Sequence, residues 1–336
     1  MAYAELLGGL AIILIGCAVF TNGIEWVGKR LALSEGAIGS VFAAVGTALP
    51  ETMIPVVAIA LGEKAHDIGI GAILGAPFML ATLGFLVCGA AGVAYAVRGR
   101  RLPDLELRRR VIRRDLRYFL MAYPAAIAVA FVPVYWLRVV VALGLAAAYV
   151  RYVSVYVRQG AGEQERAAHV DPLYVMRWST REPATVVGVL QTLAAIGAIV
   201  LGARIFVNGV NGVAAHVGIS AQVLSLIIAP VATELPEKLN SVIWVGRGRD
   251  TLALGNMTGA MVFQSCFPTG LGMCFTEWRF QPLAEHIPAL ASVVLALSSG
   301  LWLWFWLRRL RRVPALFMLG AGLPYIAFAL VVFTIR

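Results

Sequence analysis

One five-residue stretch carrying a proline and a glutamate occurs twice in this chain, each time inside an apolar segment. Thr47-Ala48-Leu49-Pro50-Glu51 returns 186 residues later as Thr233-Glu234-Leu235-Pro236-Glu237. Few folds tolerate that pattern. An ionised side chain at the centre of a membrane helix costs roughly 2.5–3.5 kcal/mol to insert. Two such carboxylates, each beside a helix-breaking proline in matching halves, point to a cation site at the interface of two internal repeats.

The chain has the greasiness such a site requires. Of 336 residues, 60% are hydrophobic and 14% charged, whereas soluble domains carry about 25% charged residues. A span needs roughly 20 apolar residues to cross about 30 Å of hydrocarbon as a helix. Ten such spans are expected, at about 3–22, 37–61, 68–97, 118–137, 139–157, 184–207, 219–245, 252–276, 287–307 and 314–335, with Arg138 between the fourth and fifth. The predicted fold class is therefore an all-α polytopic membrane protein. No cleaved signal peptide is expected, because the first span lacks a preceding basic region and belongs to the repeat. Cys17, Cys88, Cys266 and Cys274 all fall within spans, where cysteine behaves as a small apolar residue.

The net charge of +10 suggests a nucleic-acid partner until its placement is considered. With the N-terminus outside, the inner loops hold Lys29, Arg30, the arginines from Arg98 to Arg117 and those from Arg151 to Arg181. Arg247, Arg249 and the Arg308–Arg312 cluster complete the set, which takes 22 of the 28 basic residues. This is the positive-inside bias. It predicts a multi-pass protein of the plasma (inner) membrane with both termini outside, whose partners are the bilayer and inorganic cations and not nucleic acid. Trp302, Trp304 and Trp306 mark the cytoplasmic interface of the ninth span.

The repeat reaches well beyond five residues. At the same offset, Gly16, Phe20, Asn22, Gly23, Val27 and Ser34 recur as Gly202, Phe206, Asn208, Gly209, Val213 and Ser220. At an offset of 184, Gly71-Ala72-Ile73-Leu74-Gly75-Ala76 is matched by Gly255-Asn256-Met257-Thr258-Gly259-Ala260. The expected division is a first repeat at 1–157, a cytoplasmic linker at 158–183 and a second repeat at 184–336, with signatures at 43–84 and 229–272. Each half holds five spans. Five is odd, so the halves are inverted relative to each other in the membrane.

Helix physics explains why this residue order suits a cation. Pro50 and Pro236 lack an amide hydrogen, so the carbonyls of Gly46 and Ala232, four residues earlier, lose their usual donor. A freed carbonyl in a membrane needs a partner, and a dehydrated cation is one. Thr47 and Thr233 stand four residues before Glu51 and Glu237, on the same helical face. Hard oxygen ligands suit calcium or sodium, and two carboxylates neutralise one divalent ion.

With these residues in view, the chain resembles the sodium/calcium exchanger, or cation/calcium antiporter, superfamily. The resemblance rests on Gly46-Thr47-Ala48-Leu49-Pro50-Glu51 with Gly71 through Leu80, and on Ala232 through Glu237 with Gly255 through Gln264. It implies alternating access, in which calcium and a counter-ion compete for a midplane site formed by spans two, three, seven and eight. Spans one and six then slide to expose it. The implied cation ligands are Thr47, Glu51, Thr233, Glu234, Glu237 and Gln264, with Glu51 and Glu237 holding the metal. Gly46, Ala232, Lys238 and Asn256 are implied modulators. No cofactor is expected beyond the transported cation, with calcium first and proton or sodium as counter-ion.

The departures from the family pattern shape the expected chemistry. Serine usually follows the signature threonine; here Ala48 and Glu234 do. Ligand positions of the second signature read Ala76 and Leu80 in one half, Ala260 and Gln264 in the other. Several sodium ligands are thus missing. Burial and like charge both disfavour an ionised carboxylate, which makes the proton the natural replacement counter-ion.

Glu234 has two readings. It stands three residues before Glu237 and four before Lys238. Either it is a third carboxylate of the site, or it forms an internal salt bridge with Lys238 in the favourable i,i+4 orientation. A tethered ammonium would then stand in for one bound monovalent cation. Asn22 and Asn208 are expected to cap helices. Glu25 and Arg204 are expected at interfaces, and the scattered His66, His169, His216 and His286 suggest no metal cluster. An enzyme is not expected, since no nucleophile is paired with a base. A channel or a non-transporting cation sensor are the remaining alternatives.

Overall fold

The computed structural model describes residues 1–30, 43–160, 172–177, 184–309 and 312–334. Long apolar stretches without polar interruption form helices because every backbone group is then satisfied within its own segment. The helices are α1 (Ala2–Arg30), α2 (Ala43–Ala60), α3 (Glu63–Met79), α4 (Phe85–Val97), α5 (Arg109–Ala128) and α6 (Tyr135–Gly160) in the first half. The second half holds α7 (Thr185–Val217), α8 (Ala221–Thr233), α9 (Leu235–Gly246), α10 (Asp250–Phe275), α11 (Ile287–Arg309), α12 (Ala315–Leu319) and α13 (Leu323–Thr334). A π turn at Leu80–Gly84 joins α3 to α4. Taken as one rod each, α3–α4, α8–α9 and α12–α13 bring the total among the described residues to ten spans, five in each half. Ala2–Gly23, Ala65–Val97, Tyr135–Val155, Thr185–Val217 and Leu283–Arg309 are long and apolar enough to cross a membrane unaided.

Two boundaries differ from expectation. The fourth span starts at Arg109, nine residues before its expected start. Its first turns carry the arginine cluster on one side and bury Ile112, Asp115 and Leu116 on the other, so the helix is amphipathic where it leaves the membrane. Arg138 does not sit in a loop. α6 begins at Tyr135 and carries Arg138 into its first turn, where it is buried.

The helices pack as two bodies. One apolar cluster joins α1, α2, α7 and part of α8 through Ile13, Phe20, Ile54, Ile199 and Phe206. The other joins the remaining helices through Phe78, Phe85, Phe119, Met257 and Met261. α3 belongs to both, giving Ile68 and Ala72 to the first and Ile73 and Phe78 to the second. The repeat glycines explain how α1 and α7 come so close. Gly16 faces Ile199 of α7, and its repeat mate Gly202 faces Ile12 of α1, so the contact is reciprocal. A Cβ at either would lie within 2.8–2.9 Å of its neighbour.

At the arginine-rich end, short strands β1 (Asp104–Glu106) and β2 (Arg312–Pro314) pair antiparallel, Leu105 opposite Val313. Arg101 makes a bidentate contact with Asp250 at 2.6 and 2.7 Å and donates to the carbonyls of Val245 and Asp104. This ties the loop after α4 to the start of α10. Asn22 lies within α1 and does not cap it. Its side chain is buried, donates to the Pro172 carbonyl and accepts from the amide of Tyr174, while Gln191 of α7 donates to it and accepts from Val175. The segment 172–177 is thereby fastened to α1 and α7 together. Asn208, the repeat mate, is exposed.

Candidate functional site

The two bodies meet at Glu51. It sits midway along α2, only 7% exposed, in a narrow crevice lined by Ile54, Ala72, Ala76, Ala229, Pro230 and Thr233. Among these lining residues Glu51 alone is ionisable. The side chains of Ala72, Ala76 and Ala229 beside the carboxylate are small. Gly71 and Gly75 draw α3 so near to α8 that a Cβ would overlap the carbonyl oxygens of Gln222 and Leu226. A Pro at position 230 helps, since it removes the amide that the Leu226 carbonyl would otherwise accept from.

A fourth helix completes the arrangement. Gln264 of α10 is 1% exposed and donates its side-chain amide to Glu51 Oε2 at 3.1 Å. Pro268 frees the main-chain carbonyl of Gln264, and the Thr269 hydroxyl donates to it at 2.7 Å. The side-chain Oε1 of Gln264 has no hydrogen-bond partner among the described residues. Thr233 donates its hydroxyl to the Ala229 carbonyl at 2.9 Å, which leaves the oxygen lone pairs available as acceptors. Glu51, Thr233 and Gln264 thus converge from α2, α8 and α10, with α3 forming the remaining wall. The crevice offers a carboxylate and a hydroxyl oxygen, both hard donors suited to a cation, with the Gln264 amide bonded to the carboxylate.

The proline signatures act differently in the two halves. α2 runs unbroken from Ala43 to Ala60, through Pro50. In the second half the rod is interrupted: α8 ends at Thr233, Glu234 takes φ −94° and ψ 9°, and α9 starts at Leu235. Pro236 falls in the first turn of α9, where a missing amide costs nothing because that amide has no helical partner.

The interruption carries the ion pair that the spacing allowed. Lys238 Nζ lies 3.0 Å from Glu234 Oε2 and 3.4 Å from the Glu234 main-chain oxygen, with side-chain exposures of 9% and 0%. Neither residue lines the Glu51 crevice. Asn256 is half-buried earlier on α10 and does not line the crevice either. Ala260 is half-buried, whereas Leu80 is buried and opens the π turn. Gly46, Thr47, Ala232 and Glu237 lie outside the residues whose side chains are described.

Three hydroxyls that the sequence reading did not single out close the surrounding carbonyls. Ser225 donates to Ile68 O at 2.8 Å, Ser299 to Ala81 O at 2.5 Å and Tyr325 to Ile227 O at 3.2 Å. The signal for them was present: a lone serine or tyrosine in an apolar span needs a partner.

Comparisons with known proteins bear on the family and the fold. A family model described as sodium/calcium exchanger protein matches residues 1–157 and 187–334. The protein named CaxA of Alkalimonas amylolytica is 26% identical over 334 residues, covering 96% of this chain and 97% of its own. The inner membrane protein YrbG of Escherichia coli is 24% identical over 315 residues, 88% of each chain. The crystal structure of the H+/Ca2+ exchanger CAX superposes with a TM-score of 0.72 at 16% identity, over 98% of this chain and 85% of that one. A structure of the sodium-calcium exchanger NCX_Mj gives 0.56 at 18% identity, over 100% and 99%. At these identities the structures speak for the fold. With its ten spans in two halves of five and a family model matched across both, the chain belongs to the sodium/calcium exchanger family of membrane transporters and is not an enzyme.

Proposed function

We propose that the chain is a secondary active antiporter that exchanges calcium, or another divalent cation, for protons by alternating access. The observation that carries this is the buried Glu51 carboxylate, hydrogen-bonded to Gln264, in the crevice where α2, α3, α8 and α10 meet. In this reading Glu51 and Glu237 neutralise a divalent ion, with Thr47 and Thr233 as further oxygen ligands. The cycle alternates between a calcium-loaded and a protonated form, because Ala48, Ala76, Leu80 and Ala260 replace the ligands that sodium coupling uses. Residues 1–157 and 184–336 act as the two repeats about the linker 158–183, with both termini on the outer face.

A second reading follows from the same missing ligands: a cation sensor of the family that binds without transport. Uptake of radiolabelled calcium into proteoliposomes, driven separately by pH and by sodium gradients, decides between them. Uptake that follows the pH gradient supports the proposal. No uptake under either gradient, with calcium binding intact, supports the sensor.

A further inference from the structure

We propose that the ammonium of Lys238 is a resident monovalent cation. It fills, on a tether, a small site made by the carboxylate and the main-chain oxygen of Glu234 at the α8–α9 interruption. Lys238 Nζ contacts both oxygens, at 3.0 and 3.4 Å. A carboxylate and a carbonyl at a break between helices are the donors a monovalent cation takes in a membrane protein. One carboxylate supplies one negative charge, so the site balances an ammonium or an alkali ion and not a divalent one.

Neither residue lines the Glu51 crevice, although Glu234 directly follows Thr233, which does. The other half has no equivalent, since Ala48 and Thr52 stand at the positions that match Glu234 and Lys238. A plain structural ion pair is a poor account of this asymmetry. Burying two charges costs about as much as their attraction returns, and a well-packed apolar pair is often as stable. A fixed ammonium has another consequence: it occupies permanently what would otherwise be a place for a mobile ion. What this implies for coupling, one fewer monovalent cation moved per cycle, rests on the antiport reading; the site itself does not.

The test measures cation binding without transport. Lys238→Met removes the ammonium and keeps the carboxylate, while Glu234→Gln with Lys238→Met removes both. Melting temperatures of the purified proteins are compared in sodium, lithium, potassium and choline chloride at equal ionic strength. Wild type should be indifferent to the cation. Lys238→Met should melt lower in choline and recover by several degrees, saturably, in one alkali ion, because a ligand that binds only the folded state raises its melting temperature. The double variant should lose that response. Lys238→Met that behaves alike in all four salts, or that folds in none while the double variant folds, overturns the proposal. So does an alkali-ion response that persists in the double variant. Absence of calcium flux in wild type would remove the antiport reading and leave this outcome untouched.

Discussion

Gln264 and Glu51, 213 residues apart in the chain, meet in a buried hydrogen bond of 3.1 Å that links one half of the molecule to the other. The amide holds the carboxylate in place and leaves the Gln264 Oε1 without a partner among the described residues. Gln264→Ala should weaken divalent cation binding by roughly tenfold to a hundredfold, the worth of a hydrogen bond to a charged group. Equilibrium calcium titration of the purified protein measures this. An unchanged affinity would place the cation elsewhere.

Glu51→Gln and Glu237→Gln should each abolish divalent transport and leave the protein folded. Removing one carboxylate leaves a divalent ion half-neutralised in a low-dielectric site, and uncompensated charge there is strongly unfavourable. Flux in proteoliposomes, with gel filtration as the check on folding, gives the answer. Near wild-type flux in either variant would contradict the assigned role.

The counter-ion prediction follows from the same residues. If protons replace sodium, calcium uptake should follow an imposed pH gradient and ignore sodium at constant pH. Strong sodium-driven uptake would restore sodium coupling despite Ala76 and Ala260.

Much of this architecture was legible in the chain because the doubled signature and the apolar runs are long-range regularities. A 186-residue offset paired Gly16 with Gly202, and the structure shows those glycines packing reciprocally between α1 and α7. Gln264 was named from its place in the second signature, and it reaches Glu51. What the sequence hid depends on local backbone choice or on distant partners. Pro50 and Pro236 read alike, yet α2 continues through the first and the rod breaks beside the second. Asn22 read as a cap, and only the structure of residues 172–177 shows that it binds Pro172 and Tyr174. For Glu234, spacing alone allowed a ligand or a salt bridge, and the 3.0 Å contact with Lys238 gives it a partner.

The last prediction concerns the arginine-rich end. Arg101 binds both carboxylate oxygens of Asp250 and three main-chain carbonyls, those of Leu102, Asp104 and Val245, while Asp250 also accepts from the Glu106 amide. Bidentate guanidinium–carboxylate pairs are geometrically specific as well as strong. The hydrogen bond to Asp250 raises the Arg101 pKa above its ordinary value, with burial opposing it more weakly. A raised pKa keeps the guanidinium charged, so on the alkaline side the contribution holds through neutral and moderately alkaline conditions and is lost only as pH rises through the folded-state pKa. Arg101→Ala leaves Asp250 buried with a main-chain amide in place of a cation. The loss should fall near the lower end of roughly 3–5 kcal/mol for breaking a buried pair, since the Arg101 side chain is 11% exposed. Arg101→Lys should recover little, because one ammonium does not reproduce the fork. Chemical denaturation of the three proteins at neutral pH measures the difference. Equal stability of Arg101→Ala and wild type would show that the strand pair β1–β2 alone holds this end together.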